Sequence, residues 1–123
     1  MSNLSSDPNR WGLRLIPPIS HSPVGEAASF QVDVVAVHGL GGDLYNTWTY
    51  AKGDDRGSDV FWLSQLLPHD LPGARVYSFG YASGPAFSRS VASVRESARQ
   101  LLHSLMALAS EVKHSKASRC GRV

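Results

Sequence analysis

From His38 to Gly42 the chain reads HGLGG, a histidine and three glycines around one leucine, directly after the apolar run Val34–Val37. So much backbone freedom at the end of a strand has three chemical uses. It can cradle a phosphate, curve around a dinucleotide, or aim backbone N–H groups at an oxygen that gathers negative charge during acyl transfer. A phosphate loop needs Gly-Lys-Ser or Gly-Lys-Thr at the helix start, and the chain contains neither. A dinucleotide turn needs glycines spaced G-x-G-x-x-G; Gly39 and Gly41 satisfy the first two positions, but Leu44 stands at the third, where close packing of helix on strand excludes a side chain. The acyl-transfer use, an oxyanion hole, is the one the spacing supports.

Other groups that could do chemistry are weaker. Ser83 lies in GYASG, Gly80 to Gly84, with its glycines three before and one after it, not two on either side as a strained G-x-S-x-G elbow requires. It reads as a turn serine. Asp54, Asp55, Asp59, His69 and Asp70 have no ligand spacing of the H-E-x-x-H or C-x-x-C kind and read as a solvated acidic loop, so no metal and no cofactor is expected. His103 lies at the boundary of an apolar helix face.

The elements that position these residues follow from periodicity. WGLRLI at 11–16 alternates as a short strand before Pro17 and Pro18, and residues 19–30 read as a loop. Residues 31–37 are β-branched and nearly continuous in apolar character, the pattern of a strand covered on both faces in a parallel sheet. Ser58 or Asp59 is placed to cap a helix FWLSQLLP that Pro68 ends, and residues 75–81 form another strand. From about Ser88 a long helix carries Val91, Val94, Ala98, Leu101, Leu102, Leu105, Leu108, Ala109 and Val112 along one face. Strand, helix, strand, helix is the order of an α/β unit with right-handed crossovers.

The stretches DVVAVHGLGGDLYNTWT (33–49) and FWLSQLLPHDLPGARVYSFGYAS (61–83) together resemble the α/β-hydrolase superfamily, and within it the lipase-like serine-hydrolase domains of the DUF676 and PGAP1-like type. The resemblance implies the N-terminal part of an α/β-hydrolase fold, incomplete, divided into an N-terminal strand and loop (1–30), a partial hydrolase domain (31–114) and a short basic tail (115–123). It implies that the Leu40 N–H forms one side of an oxyanion hole, with Gly39 and Gly41 shaping the turn and His38 and Gly42 supporting it. His38 would not be the base, which comes late in this fold. Trp48, Phe61 and Trp62 could line an acyl pocket, but aromatics of this size are more often core residues.

The family's nucleophile elbow would follow the long helix, where this chain reads SKASRCGRV instead. The expectation is therefore a truncated chain with no catalytic serine, acid or base, inactive as given, whose full-length relatives act on lipid or ester substrates. In the family's sheet the strand at 32–37 lies between the strand at 75–81 and the nucleophile-bearing strand. Without the latter its edge is bare, which favours a strand-completing protein partner or self-association. The alternative is a non-catalytic interaction or signalling module on the same scaffold.

At 123 residues and a formal charge of +2, the chain is one small domain without the basic patch that nucleic-acid binding requires. The single Cys120 excludes an internal disulfide. MSNLSSDPNRWG lacks the apolar core of a secretory signal, and no uncharged apolar run is long enough to span a bilayer. The expected location is intracellular and cytoplasmic, with association to mitochondrion, endoplasmic reticulum or membrane implied only by the resemblance.

Overall fold

The computed structural model describes residues 10–19, 32–51, 53, 59–84 and 91–120, with side chains on the last helix described through His114. The loop at 20–31, the Ser58 cap, Asp54 and Asp55, the helix start near Ser88, and the tail residues Lys116, Arg119 and Arg122 as side chains lie outside the described residues.

Among the described residues, five strands and three helices follow in the order β1 (Gly12–Ile16), β2 (Asp33–Val37), β3 (Thr49–Tyr50), β4 (Val60–Phe61), α1 (Trp62–Gln65), α2 (Leu67–Asp70), β5 (Arg75–Gly80) and α3 (Val91–Cys120), with a 3-10 turn at Asn46–Trp48. The main sheet runs β1-β5-β2. β2 pairs with β5 in parallel, as the apolar run suggests, but β1 pairs with β5 antiparallel, so the sheet is mixed and not purely parallel. β2 is also an edge strand and only partly buried, unlike the doubly covered strand its composition indicates. The strand buried almost throughout is β5, which alone among the described strands has a neighbour on each side.

Side chains alternate across this sheet with period two. The register aligns Ile16, Val76 and Val34 on one face and Leu13, Phe79 and Val37 on the other. The first face carries the core cluster Ile16, Leu63 and Val76, with Trp48, Phe61 and Trp62 packed around it. At the start of β2, Arg75 Nε and Nη2 donate to the two Asp33 carboxylate oxygens at 2.7 and 2.8 Å, a fork across the strand pair. Both side chains are about a third exposed, so the pair fixes register more than it adds stability.

The segment FWLSQLLP does not form one helix ended by Pro68. Val60–Phe61 pair with Thr49–Tyr50, and Phe61 stays extended as the residue before α1. Pro68 then sits in the first turn of α2, where its missing N–H has no helical acceptor to satisfy. Asp59 supplies no side-chain cap to α1.

The second face of the sheet meets α3, which touches β1. Leu101, Leu105, Leu108 and Val112 are half-buried there, while Val91, Val94, Ala98, Leu102 and Ala109, expected on the same covered face, are exposed. The covered stripe is rotated from the expected one. Ser93, Ser97, Leu101, Leu105, Leu108 and Val112, three or four positions apart, are half-buried, so Leu102 and Ala109, each one position further round the helix, face away.

Candidate functional site: the glycine turn at the end of β2

β2 delivers His38–Gly42 to the C-terminal edge of the sheet, and β5 delivers Tyr81–Ser83 beside it. The Gly42 N–H donates to the Gly39 carbonyl at 3.0 Å, closing a four-residue turn. Gly41, its third residue, has φ +73°, and Leu40 has a negative φ, the combination of a type II turn. Gly41 is glycine for that dihedral. Gly42 is glycine for space: a Cβ there would lie 2.8 Å from Thr47 Oγ1 and 3.0 Å from both the Gly39 oxygen and His38 Cβ. Gly39 has neither reason, since a Cβ would meet nothing within 4 Å.

His38 is 3% exposed. Its Nε2 receives the Tyr81 N–H at 3.3 Å, which leaves the proton of the neutral ring on Nδ1, 3.0 Å from the Gly39 carbonyl. Its ring stacks on Tyr81 with centroids 4.3 Å apart and planes within 1°. The Tyr81 hydroxyl donates to the His38 carbonyl at 2.8 Å. Both ring nitrogens are thus spent on the turn, and His38 has no free position from which to take a substrate proton.

Ser83 completes the clamp. Its carbonyl accepts the Gly41 N–H at 2.8 Å, and its buried hydroxyl donates to the Gly42 carbonyl at 2.9 Å. The N–H groups of Gly41 and Gly42 are therefore consumed in holding the turn. Among the described residues, the N–H groups of Gly39 and Leu40 meet no acceptor. Leu40 itself is 65% exposed, at the apex.

Asp43 secures the exit. Its Oδ1 accepts the N–H groups of Tyr45 and Asn46 at 2.9 and 3.0 Å, its own N–H donates to Thr47 Oγ1 at 2.8 Å, and its Oδ2 pairs with Arg10. Burial alone would raise the carboxyl's pKa, but those backbone donors and the Arg10 guanidinium outweigh it and hold the group below its ordinary value. A lowered folded-state pKa gives stability that is present above the unfolded carboxyl's value of about 4 and lost as pH falls through the folded value. The thermal midpoint should therefore drop more between pH 5 and pH 3 in the native chain than in Asp43→Asn; parallel slopes would refute this.

The residues singled out by sequence fall into two groups. His38, Gly39, Leu40, Gly41 and Gly42 come together at the turn. Trp48, Phe61 and Trp62 do not join them: they pack on the core face of the sheet, Trp48 and Trp62 edge to face at 5.7 Å. Tyr81, Ser83, Asp43 and Arg10 build the site without having been singled out for it. Of these only Asp43 carries a local signal, an acidic residue three and four positions before Asn46 and Thr47, the spacing of a side-chain cap.

A cavity of about 260 Å³ lies beside the turn, lined by His38, Gly41, Asp43, Tyr81 and Ser83. Across the sheet an apolar slot of about 220 Å³ is lined by Val37, Leu40, Phe79, Tyr81, Val94 and Leu101. Among the described residues no three of His, Cys, Asp or Glu are grouped so as to hold a metal ion, and no helix is long and apolar enough to cross a membrane. Compared with known protein families, curated proteins and solved structures, the chain matches none.

Proposed function

We propose that HGLGG is the oxyanion-stabilising turn of an acyl-transfer site of the lipase or esterase type, within an α/β-hydrolase-like scaffold. The observation that carries this is the division of labour among the N–H groups: those of Gly41 and Gly42 hold the turn, and those of Gly39 and Leu40 have no acceptor among the described residues. A donor fixed in place before the substrate arrives needs no reorganisation when charge develops, which is why such groups lower acyl-transfer barriers. The nucleophile is not assigned to this chain. No serine stands in a G-x-S-x-G elbow, and the Ser83 hydroxyl is already committed to Gly42.

Leu40→Pro tests the donor without removing the turn. Proline is favoured at the second position of a type II turn and lacks the N–H. The substitution should keep or raise stability, by about 0.4–1 kcal/mol, because the N–H it deletes bonds nothing. In ¹H–¹⁵N spectra butyrate should shift the Leu40 amide in the native chain, and the shifts at Gly41 and Gly42 should vanish in the proline variant. Equal carboxylate responses in the two chains would refute the proposal.

A second reading is a non-catalytic module that takes a partner strand on the outer edge of β2, which is unpaired among the described residues. It expects a silent Leu40 in the same titration.

A further inference from the structure

The outer edge of β2 has a fixed hydrogen-bonding phase. The Val32 carbonyl accepts the Arg75 N–H at 2.9 Å, so the even-numbered residues turn their backbone groups to β5, and Asp33, Val35 and Val37 turn theirs outward, unpaired among the described residues. Nothing blunts this edge. Residues 33–37 include no lysine and no proline, and their one charge, Asp33, is engaged by Arg75. Beside the edge stands the uncovered stripe of α3: Val91, Val94, Ala98, Leu102, Met106 and Ala109, three or four positions apart and all exposed. It adjoins β2, since Val94 and Ala98 line one slot with Val37 and Leu40. α3 runs antiparallel to β2, with Val94 beside Val37 at the exit of the strand and Glu111 acting on Arg75 at its entrance. Leu102, midway between, is level with Val35.

We propose that two copies of this chain join edge to edge through β2, antiparallel about a two-fold axis at Val35. The outward phase requires an axis on an odd-numbered residue: Val35 then exchanges both N–H···O=C bonds with its own counterpart, and Asp33 does so with Val37 of the other copy. The same axis sets Leu102 against Leu102, and Ala98 against Met106, a small side chain facing a large one. No like charges meet. Arg95 faces Ala109 of the other copy and comes level with its Asp33, whose carboxylate lies on the α3 side of the sheet by alternation. An unrelated strand would cover the edge alone, whereas a second copy covers edge and stripe together. Roughly 15 residues a side, against the 20–30 that bury about 800 Å², put the total near about 1,000 Å², the lower bound of a specific interface, with a dissociation constant in the micromolar range. The pairing is independent of the oxyanion reading and gives the edge named in the second reading its occupant.

The test is sedimentation of the full chain from about 1 to about 200 μM, with amide exchange followed at both ends of that range. A dimer should form across it. The amides of Val35 and Val37 should gain about tenfold protection or more at high concentration, while those of Val34 and Ala36, turned to β5, stay unchanged. Leu102→Lys, at an exposed helical position where lysine is a good helix former, sets two like charges on the axis and should weaken the dimer about tenfold or more, with the thermal midpoint of the dilute chain unchanged. A monomer at every concentration would overturn the proposal, and protection of Val35 in that monomer would give the edge to another segment of the same chain. A dimer that leaves the Val35 amide unprotected, or that Leu102→Lys does not weaken, would overturn it as well. None of these results bears on the Leu40 amide, whose response to butyrate is read separately.

Discussion

Gly80→Ala should be among the most disruptive single-carbon additions to this protein, costing roughly 3 kcal/mol or more. Gly80 is the last residue of β5 and faces Gly12 across the antiparallel pair. A Cβ there would overlap the Arg10 carbonyl and come within 2.8 Å of Leu44 Cδ1. Leu44 could change rotamer, but the Arg10 carbonyl is backbone and can move only by lifting the start of β1. That would also pull Arg10 from Asp43, so the damage should reach the exit of the glycine turn. The measurement is the urea-unfolding midpoint, with Gly39→Ala as the control. Because nothing stands within 4 Å of a Cβ at Gly39, that variant should stay within about 0.5 kcal/mol of the native chain. Equal losses in the two variants would show that the contact at Gly80 is relieved at little cost.

Phe79→Ala should cost about 3–5 kcal/mol, a large share of the 5–15 kcal/mol typical of a folded domain. Phe79 is 1% exposed on the central strand, between Leu13 and Val37 in the register. Its ring lies 6.1 Å from that of Tyr81, at 22° between planes. Deleting it leaves a void in the α3 layer and removes one support of the ring that stacks on His38. Stability and site geometry should therefore fall together: the unfolding midpoint drops, and the Tyr81 and His38 ring resonances shift in the folded form. A loss below about 1.5 kcal/mol, the range of volume-conserving swaps, would mean that α3 closes the gap.

How much of this was legible in the sequence differs by element. The strands containing residues 33–37 and 75–80 were readable because β-branched and aromatic residues cluster between turn formers, and the turn because glycines do. The direction of β1 was not. GLRLI alternates equally well in either orientation, and its pairing with β5 joins residues sixty or more positions apart in the chain. FWLSQLLP misled because its apolar residues are too dense to show a period, so helix length was judged from proline alone, and proline starts helices as well as ending them.

At the site, the glycines and histidine were visible as a local motif, but the partners that give them their roles were not. Tyr81 reaches His38 across 43 positions, and nothing near Tyr81 marks its hydroxyl for that carbonyl. Trp48, Phe61 and Trp62 suit a core or a pocket equally by size and chemistry, and they are core. Which face of the sheet they occupy depends on register, which their local sequence does not contain.

Register also gives the Asp33–Arg75 fork a meaning beyond its small energy. Val34, Ala36 and His38 share one parity, and Val35 and Val37 the other. A slip of one residue between β2 and β5 would exchange the two sets and swing His38 away from Tyr81. The fork sits at the entrance of β2 and the turn at its exit, so an exposed ion pair serves as the phase reference for a hydrogen-bond donor at the far end of the strand.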